Sequence, residues 1–245
     1  MRLFDQNPYE TYHRSDVVER PSLDAEAIMI GMAKGAQRKL DPIGEAIQAA
    51  EPAACMINVT QGQKMWTGSG FLVEGNFIIT ADHVLPKPEG GQANVQVSFD
   101  GETAIPVNVI NGDSDVDVGL LHCPYQLPIR PMKIASEPVV EGDIIAVIGA
   151  PEGWPNVVTV GRVAGTEMNP PTPAPDPSFR DMMFVDAHIL EGSSGSMVVD
   201  VLGQVVGMVM GMIGKQLDSH GTGQNAVVPA HRIIGAINSI MPRGV

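Results

Sequence analysis

The chain has 245 residues, of which 44% are hydrophobic, so it can bury a core as one large domain or two small ones and is not a disordered chain. Its 28 acidic residues outnumber 15 basic ones and give a net charge of −13. This balance opposes a surface that neutralises phosphates, so nucleic acid is not expected as a partner. Cys55 and Cys123 are too few for a disulfide scaffold and lack metal-ligand spacing. We expect free thiols, with a disulfide as the less favoured alternative.

The N-terminus begins MRLFDQNPYETYHRSD and lacks the apolar segment of a secretory signal. No stretch of about 18 apolar residues occurs that could cross a bilayer. We therefore expect an intracellular protein without a membrane partner.

The first 50 residues form a distinct region. Residues 1–22 read as an extended arm, and 23–38 follow Ser22 as a plausible N-cap with helix-favouring composition. We assign 1–50 as an arm and helix. Three roles stay open for it: a propeptide, a homo-oligomerisation arm, or a docking element for a larger assembly such as a virus particle.

From residue 53 the chain consists of short β-type runs separated by turn residues, which predicts an all-β fold. Six strands precede and six follow a proline-containing connector at 124–138. We expect a first barrel over 51–127, and a second over 128–245 that ends in a short helix near 229–241. The predicted strands are 54–60, 66–73, 77–80, 94–99, 103–110, 118–122, 143–149, 157–164, 183–187, 196–200, 205–211 and 224–228. A proline-rich loop occupies 169–178.

Three short segments carry candidate chemistry. FIITADHVL contains His83 at the end of a strand, where an imidazole can accept a proton from a hydroxyl and return it. In NGDSDVDVGLLHC, Asp117 opens a buried strand, where a carboxylate needs a partner such as a histidine N–H. We assign the neighbouring Asp113 and Asp115 to the turn.

The third segment, LEGSSGSMVVD, is a Gly/Ser turn that contains Ser194. Flanking glycines allow backbone N–H groups to converge on an oxyanion, although a plain hairpin loop has the same composition. The order His, Asp, Ser is that of the chymotrypsin class of serine proteases.

The sequence resembles trypsin-like serine proteases of the chymotrypsin fold, and most closely the HtrA/Deg-type protease domain. Four blocks carry the resemblance over about residues 53–240: TGSGFLVEGNFIITADHVL, DVDVGLL, GDIIAVIGAPEGWPNVVTVGRVAG and VDAHILEGSSGSMVVDVLGQVVGMVMG. It implies two six-stranded antiparallel Greek-key barrels. It also implies a serine endopeptidase that cleaves polypeptides through an acyl-enzyme, without a metal or cofactor.

By position, the resemblance makes Ser194 the nucleophile, His83 the general base and Asp117 the group that orients the imidazole. The oxyanion hole comprises Gly192, Ser193 and Ser194, with the N–H groups of Gly192 and Ser194 as its donors. Ser196-Met197 replaces the usual Gly-Pro, and Asp82 adds a negative charge beside His83.

For substrate binding, the same layout assigns His188, Met208, Val209 and Met210. Strand 207–212 is expected to pair with the substrate backbone. His188 either forms the base of the pocket for the side chain before the scissile bond, or points away and leaves an apolar pocket.

The family comparison also predicts that a PDZ domain and activation by a freed N-terminus are absent. A catalytically weak or inactive scaffold that serves as a docking protein is the alternative function. An esterase using the same triad is a third.

Overall fold

The computed structural model of the chain describes residues 41–169, 177–213 and 224–241. The predicted helix at 23–38 and most of the proline-rich loop lie outside these residues. Two α-helices and thirteen strands occur within the described part, and almost every predicted strand is present. They are α1 Pro42–Ala50, β1 Ala54–Gln61, β2 Lys64–Val73, β3 Phe77–Thr80, β4 Ala93–Ser98, β5 Ile105–Pro106, β6 Asn108–Asp113, β7 Val118–His122, β8 Ile144–Gly149, β9 Val157–Met168, β10 Met182–Val185, β11 Met197–Val199, β12 Val205–Ile213, β13 Gln224–Pro229 and α2 Ala230–Ile240.

Helix α1 belongs to the compact unit that comprises Leu40–Val245. The Asp41 carboxylate caps the helix by accepting a hydrogen bond from the Gly44 N–H at 2.9 Å, and Pro42 occupies the first turn. Ile43, Ala46 and Ala50 form its buried face against β8 and β11.

The first sheet is antiparallel, in the order β5-β4-β1-β2-β3-β7-β6. It holds seven strands because the predicted strand 103–110 divides at Pro106. β5 pairs with β4, whereas β6 pairs with β7 at the opposite edge. Only Val107 separates the two edge strands in sequence, so the sheet curls. β5 and β6 are not paired with each other, so this sheet is a half-barrel rather than the closed six-stranded barrel that was expected.

The second sheet is a closed six-stranded barrel in the order β10-β13-β12-β11-β8-β9. The two antiparallel sheets confirm the predicted all-β, chymotrypsin-like architecture. The connector joins them: the Met132 N–H donates to Leu72 O at 2.9 Å, and the Ala135 N–H donates to Val205 O at 2.8 Å.

Apolar side chains of both sheets form the core, including the fully buried Phe71, Ile57 and Ile148. Cys55 and Cys123 are free and buried within it, as the sequence predicted. Burial, with a smaller contribution from Cys123, raises the pKa of the Cys55 thiol well above its usual range. No helix in the described segments has the length and apolarity needed to cross a membrane.

The packing of α1 predicts a difference between two alanines of the same helix. Ala46→Lys buries a charged side chain against β8 and β11, so it should lower the free energy of unfolding by about 2 kcal/mol or more. Ala49→Lys, on the exposed face, should change it by less than about 0.5 kcal/mol. Urea unfolding of both variants measures the difference, and equal stabilities would show that α1 does not contribute to the body.

Candidate active site

The site begins with an aspartate and histidine pair on the first sheet. β3 and β7 pair antiparallel, with Thr80 opposite Gly119, so the residues just beyond these strand ends lie close together. The His83 Nδ1 atom lies 3.0 Å from Asp117 Oδ1 and 2.9 Å from Asp117 Oδ2. The His83 backbone N–H also donates to Asp117 Oδ1 at 3.0 Å. The carboxylate therefore fixes both the backbone and the ring of this histidine.

The geometry selects one neutral tautomer of His83. A carboxylate accepts hydrogen bonds, so the ring proton lies on Nδ1 and leaves Nε2 with a free lone pair. The Asp117 side chain is only 7% exposed and that of His83 is 49% exposed. The carboxylate of the pair is therefore buried, whereas the imidazole is partly open to solvent.

The backbone at Asp117 is strained, with φ at +61° in the left-handed region. The preceding turn contains Asp113, whose Oδ1 accepts the Asp115 N–H at 3.1 Å, which confirms its assignment to an Asx-turn. Asp82 does not form a second partner for the imidazole. Its carboxylate lies 3.5 Å from the ammonium of Lys87.

Ser194 lies in a tight turn between β10 and β11 that both sheets hold in place. The Gly195 N–H donates to Val209 O at 2.8 Å, and the Ser69 N–H donates to Ser194 O at 2.8 Å. Gly195 has φ at +89°, and a Cβ there would lie 2.0 Å from Ser69 O. Only glycine fits at this position, which explains the glycine after the serine.

From residue 192 to 196, two backbone N–H groups lack an acceptor in the described part of the chain, those of Gly192 and Ser194. The Ser193 N–H instead donates to Leu190 O at 3.1 Å. Of the three residues predicted for the oxyanion hole, Ser193 therefore contributes no free donor. The N–H groups of the other two residues stay available as donors.

The Ser194 hydroxyl donates to the carbonyl oxygen of Met210 at 3.1 Å. Within the described residues, no hydrogen bond joins Ser194 Oγ to His83. Hydrogen bonds between such groups are often long or absent in structures without a ligand. A hydrogen bond from Ser194 Oγ to His83 would require the serine side chain to rotate away from the Met210 carbonyl.

Ser69 is a supporting residue that the sequence analysis missed. Its buried hydroxyl donates to Gly192 O at 2.8 Å and accepts the Ala150 N–H at 2.8 Å. The β8–β9 loop, which begins at Ala150, contacts the Ser194 turn a second time, because the Glu152 N–H donates to Glu191 O at 2.8 Å. The available signal was the small residue between two glycines in TGSGF.

A cleft of about 330 Å³ lies beside the histidine, lined by Asp82, His83, Ser114, Asp117, Ser178, Phe179, Met210 and Gly211. The sequence analysis did not single out Ser114, Ser178 and Phe179 as site residues, whereas Gly211 lies in the strand that it expected to pair with the substrate. Phe179 follows the proline-rich loop, whose composition predicted only an exposed loop.

The predicted substrate-binding residues separate into three groups. Met208 and Val209 are fully buried and do not line the cleft. Their backbone pairs with the neighbouring strands, and the Val209 carbonyl also accepts the N–H of Gly195 in the Ser194 turn. Met210 does line it. His188 is exposed and its carbonyl accepts the Thr159 hydroxyl, which favours the reading in which its side chain points away from a buried pocket.

A family model described as the trypsin-like peptidase domain matches residues 68–208. Serine protease Rv3671c of Mycobacterium tuberculosis is 31% identical over 170 residues, which cover 67% of this chain and 41% of that protein. Protease Do-like 1 of Arabidopsis thaliana is 25% identical and is matched over 77% of this chain and 42% of its own length. The chain thus spans about two fifths of these curated relatives.

Solved structures agree with the fold. The active form of the Rv3671c protease from M. tuberculosis has a TM-score of 0.67 at 28% identity, covering 81% of this chain and 86% of that one. The HtrA-type protease AlgW with a tripeptide has a TM-score of 0.69 at 22% identity, covering 81% of this chain and 63% of that one.

Two buried serines near the turn predict opposite outcomes. Ser69→Ala leaves the Gly192 carbonyl and the Ala150 N–H without their partner and should destabilise the fold by about 1–3 kcal/mol. Among the described residues, the buried Ser196 Oγ has no hydrogen-bond partner, so Ser196→Ala should be neutral or stabilising by up to about 1 kcal/mol. Chemical unfolding of both variants gives the comparison. A loss of stability for Ser196→Ala equal to that for Ser69→Ala would contradict this description of the turn.

Proposed function

Because the chain belongs to the trypsin-like peptidase family, we propose that it is a serine endopeptidase whose nucleophile is Ser194. The observation that carries this proposal is the contact of His83 Nδ1 with the buried Asp117 carboxylate, which leaves Nε2 as a base at the cleft. A serine hydroxyl is a weak nucleophile until such a base accepts its proton.

In the first step, His83 Nε2 takes the proton of Ser194 Oγ while this oxygen attacks the scissile carbonyl carbon. The imidazolium that forms is stabilised by the adjacent Asp117 carboxylate, which itself remains unprotonated. His83 then donates the proton to the leaving amine, and an acyl group stays bound to Ser194. Water, activated by the same imidazole, releases that acyl group as a carboxylic acid.

The carbonyl oxygen of the substrate becomes an oxyanion when Ser194 attacks it. The N–H groups of Gly192 and Ser194 have no other acceptor among the described residues, so they are available to stabilise this charge. Removing one such donor in a serine protease costs about 100- to 1,000-fold in rate, which sets the scale of their contribution.

Met210 links substrate binding to the nucleophile. Its carbonyl accepts the Ser194 hydroxyl in the absence of substrate. A substrate chain that pairs with this end of β12 would offer its own backbone N–H to that carbonyl. The serine hydroxyl then loses its acceptor and turns to His83, so peptide binding itself completes the catalytic arrangement.

A fluorophosphonate probe tests the proposed nucleophile directly. The protein should be labelled at Ser194, and Ser194→Ala should abolish the labelling, because the probe reacts only with an activated serine. Ser136→Ala, at an exposed serine outside the turn, is the control and should retain labelling. Equal absence of label in the parent protein and in Ser194→Ala would reject the enzyme and favour a scaffold.

Variants of two aspartates in the β6–β7 turn distinguish an effect on the orientation of His83 from the effect of losing a nearby negative charge. Asp117→Asn removes the acceptor that selects the tautomer of His83 and should reduce kcat for peptide hydrolysis by roughly 10⁴-fold. Asp115→Asn removes one negative charge from an exposed side chain and should alter kcat less than about two-fold. Comparable losses in both variants would contradict the role assigned to Asp117.

A further inference from the structure

Arg232, in the first turn of α2, connects three segments of the chain. Its Nη1 group donates to Ser178 O at 3.0 Å and also to Arg180 O, and its Nη2 group donates to Asp115 O at 3.2 Å. The side chain is half-buried, and each carbonyl belongs to a loop rather than to a strand. One guanidinium thus joins the helix to the loop before β10 and to the β6–β7 turn.

Both of these loops reach the candidate site. Asp115 precedes Asp117 by two residues, in the turn that carries the strained aspartate. Ser178 lines the cleft beside His83, together with Phe179. No other side chain donates to the Asp115 carbonyl in the described part of the chain. In this part of the chain, Arg232 thus supplies the side-chain hydrogen bond that links the turn to α2.

An arginine suits this position for chemical reasons. Its planar guanidinium offers five donors in a fixed geometry and can serve carbonyls on two sides at once, whereas the ammonium of lysine acts as a single point. Burial lowers the pKa of Arg232, while Asp181 and Asp113 raise it, and the group remains charged at neutral pH. The charge strengthens its hydrogen bonds to the carbonyl oxygens.

We infer that Arg232 is a positioning residue that acts through Asp117, by holding the β6–β7 turn so that the strained carboxylate faces the imidazole of His83. This inference rests on the proposed function. Without the bond to Asp115 O, the turn can relax away from φ of +61°, and the distance from Asp117 to His83 Nδ1 increases. A displacement near 1 Å at such a site costs up to about 100-fold in rate.

The test compares Arg232→Gln with Arg162→Gln. Arg162 is the matched control, because its Nη1 also donates to a loop carbonyl, that of Gly142 at 2.5 Å. Unlike the segments that Arg232 binds, the loop at Gly142 contributes no residue to the cleft. The rate of fluorophosphonate labelling should fall roughly ten- to hundred-fold in Arg232→Gln and stay within two-fold of the parent in Arg162→Gln. The labelling rates are measured at a temperature where circular dichroism shows all variants folded.

A double-mutant cycle separates positioning from a general structural effect. In an Asp117→Asn background, Arg232→Gln should cost less than about two-fold further, because the group through which it acts has already been removed. A loss as large as in the parent background would overturn the inference, and so would labelling of Arg232→Gln at the parent rate. If Arg232→Gln does not fold, Arg232→Lys replaces it, with an expected loss of at least three-fold and a parent-like rate as the contradicting result.

Failure of the proposed function gives a different pattern. If the parent protein is not labelled at all, the enzyme is rejected, and the positioning role is read from proton NMR instead. The low-field resonance of the His83 Nδ1 proton should be present in the parent and in Arg162→Gln, and lost or shifted in Arg232→Gln. An unchanged resonance would overturn the role of Arg232 independently of catalysis.

Discussion

The hydrogen bonds between the Asp117 carboxylate and His83 are the interaction on which the rest of the site depends. Asp117 Oδ1 accepts hydrogen bonds from the backbone N–H and from the ring Nδ1–H of His83, at 3.0 Å each. The aspartate therefore fixes both the backbone position and the ring orientation of His83. This arrangement requires φ of +61° at Asp117 and burial of an anion, both of which are unfavourable alone. The register of β3 on β7 and the contacts around the turn must therefore maintain it.

The turn that contains Ser194 is held in place from the second barrel. Its backbone is bonded to Val209 of that barrel and to Ser69 of the first sheet, so the candidate site lies where the two sheets meet. Ser69 adds a second connection, since one hydroxyl joins the Gly192 carbonyl to the Ala150 N–H. Because the sheet that contains Ser69 also carries His83 and Asp117, a shift between the sheets would alter the distance between His83 and Ser194.

Local sequence patterns predicted most of the fold, because short apolar runs separated by turn residues are typical of β-strands. They did not predict the division of 103–110, where Pro106 ends one pairing and the chain crosses to the opposite edge of the sheet. Residues His83, Asp117 and Ser194 were identified because each lies in a distinctive short segment. Ser69 and Arg232 act on carbonyls distant in sequence, and such contacts leave no periodic signal. Sequence position does not reveal which strand positions are already hydrogen-bonded, so it did not indicate that Met208 and Val209 are buried outside the cleft.

A crystal structure with a peptide boronic acid bound would test the central claim most directly, because boron forms a tetrahedral adduct with an attacking oxygen. The account predicts a covalent bond from boron to Ser194 Oγ, with His83 Nε2 within hydrogen-bonding distance of the adduct and Asp117 still on Nδ1. One boronate oxygen should accept from the N–H groups of Gly192 and Ser194, and the Met210 carbonyl should accept from the peptide. Boron bound to another residue, or an oxygen held away from those two N–H groups, would contradict it.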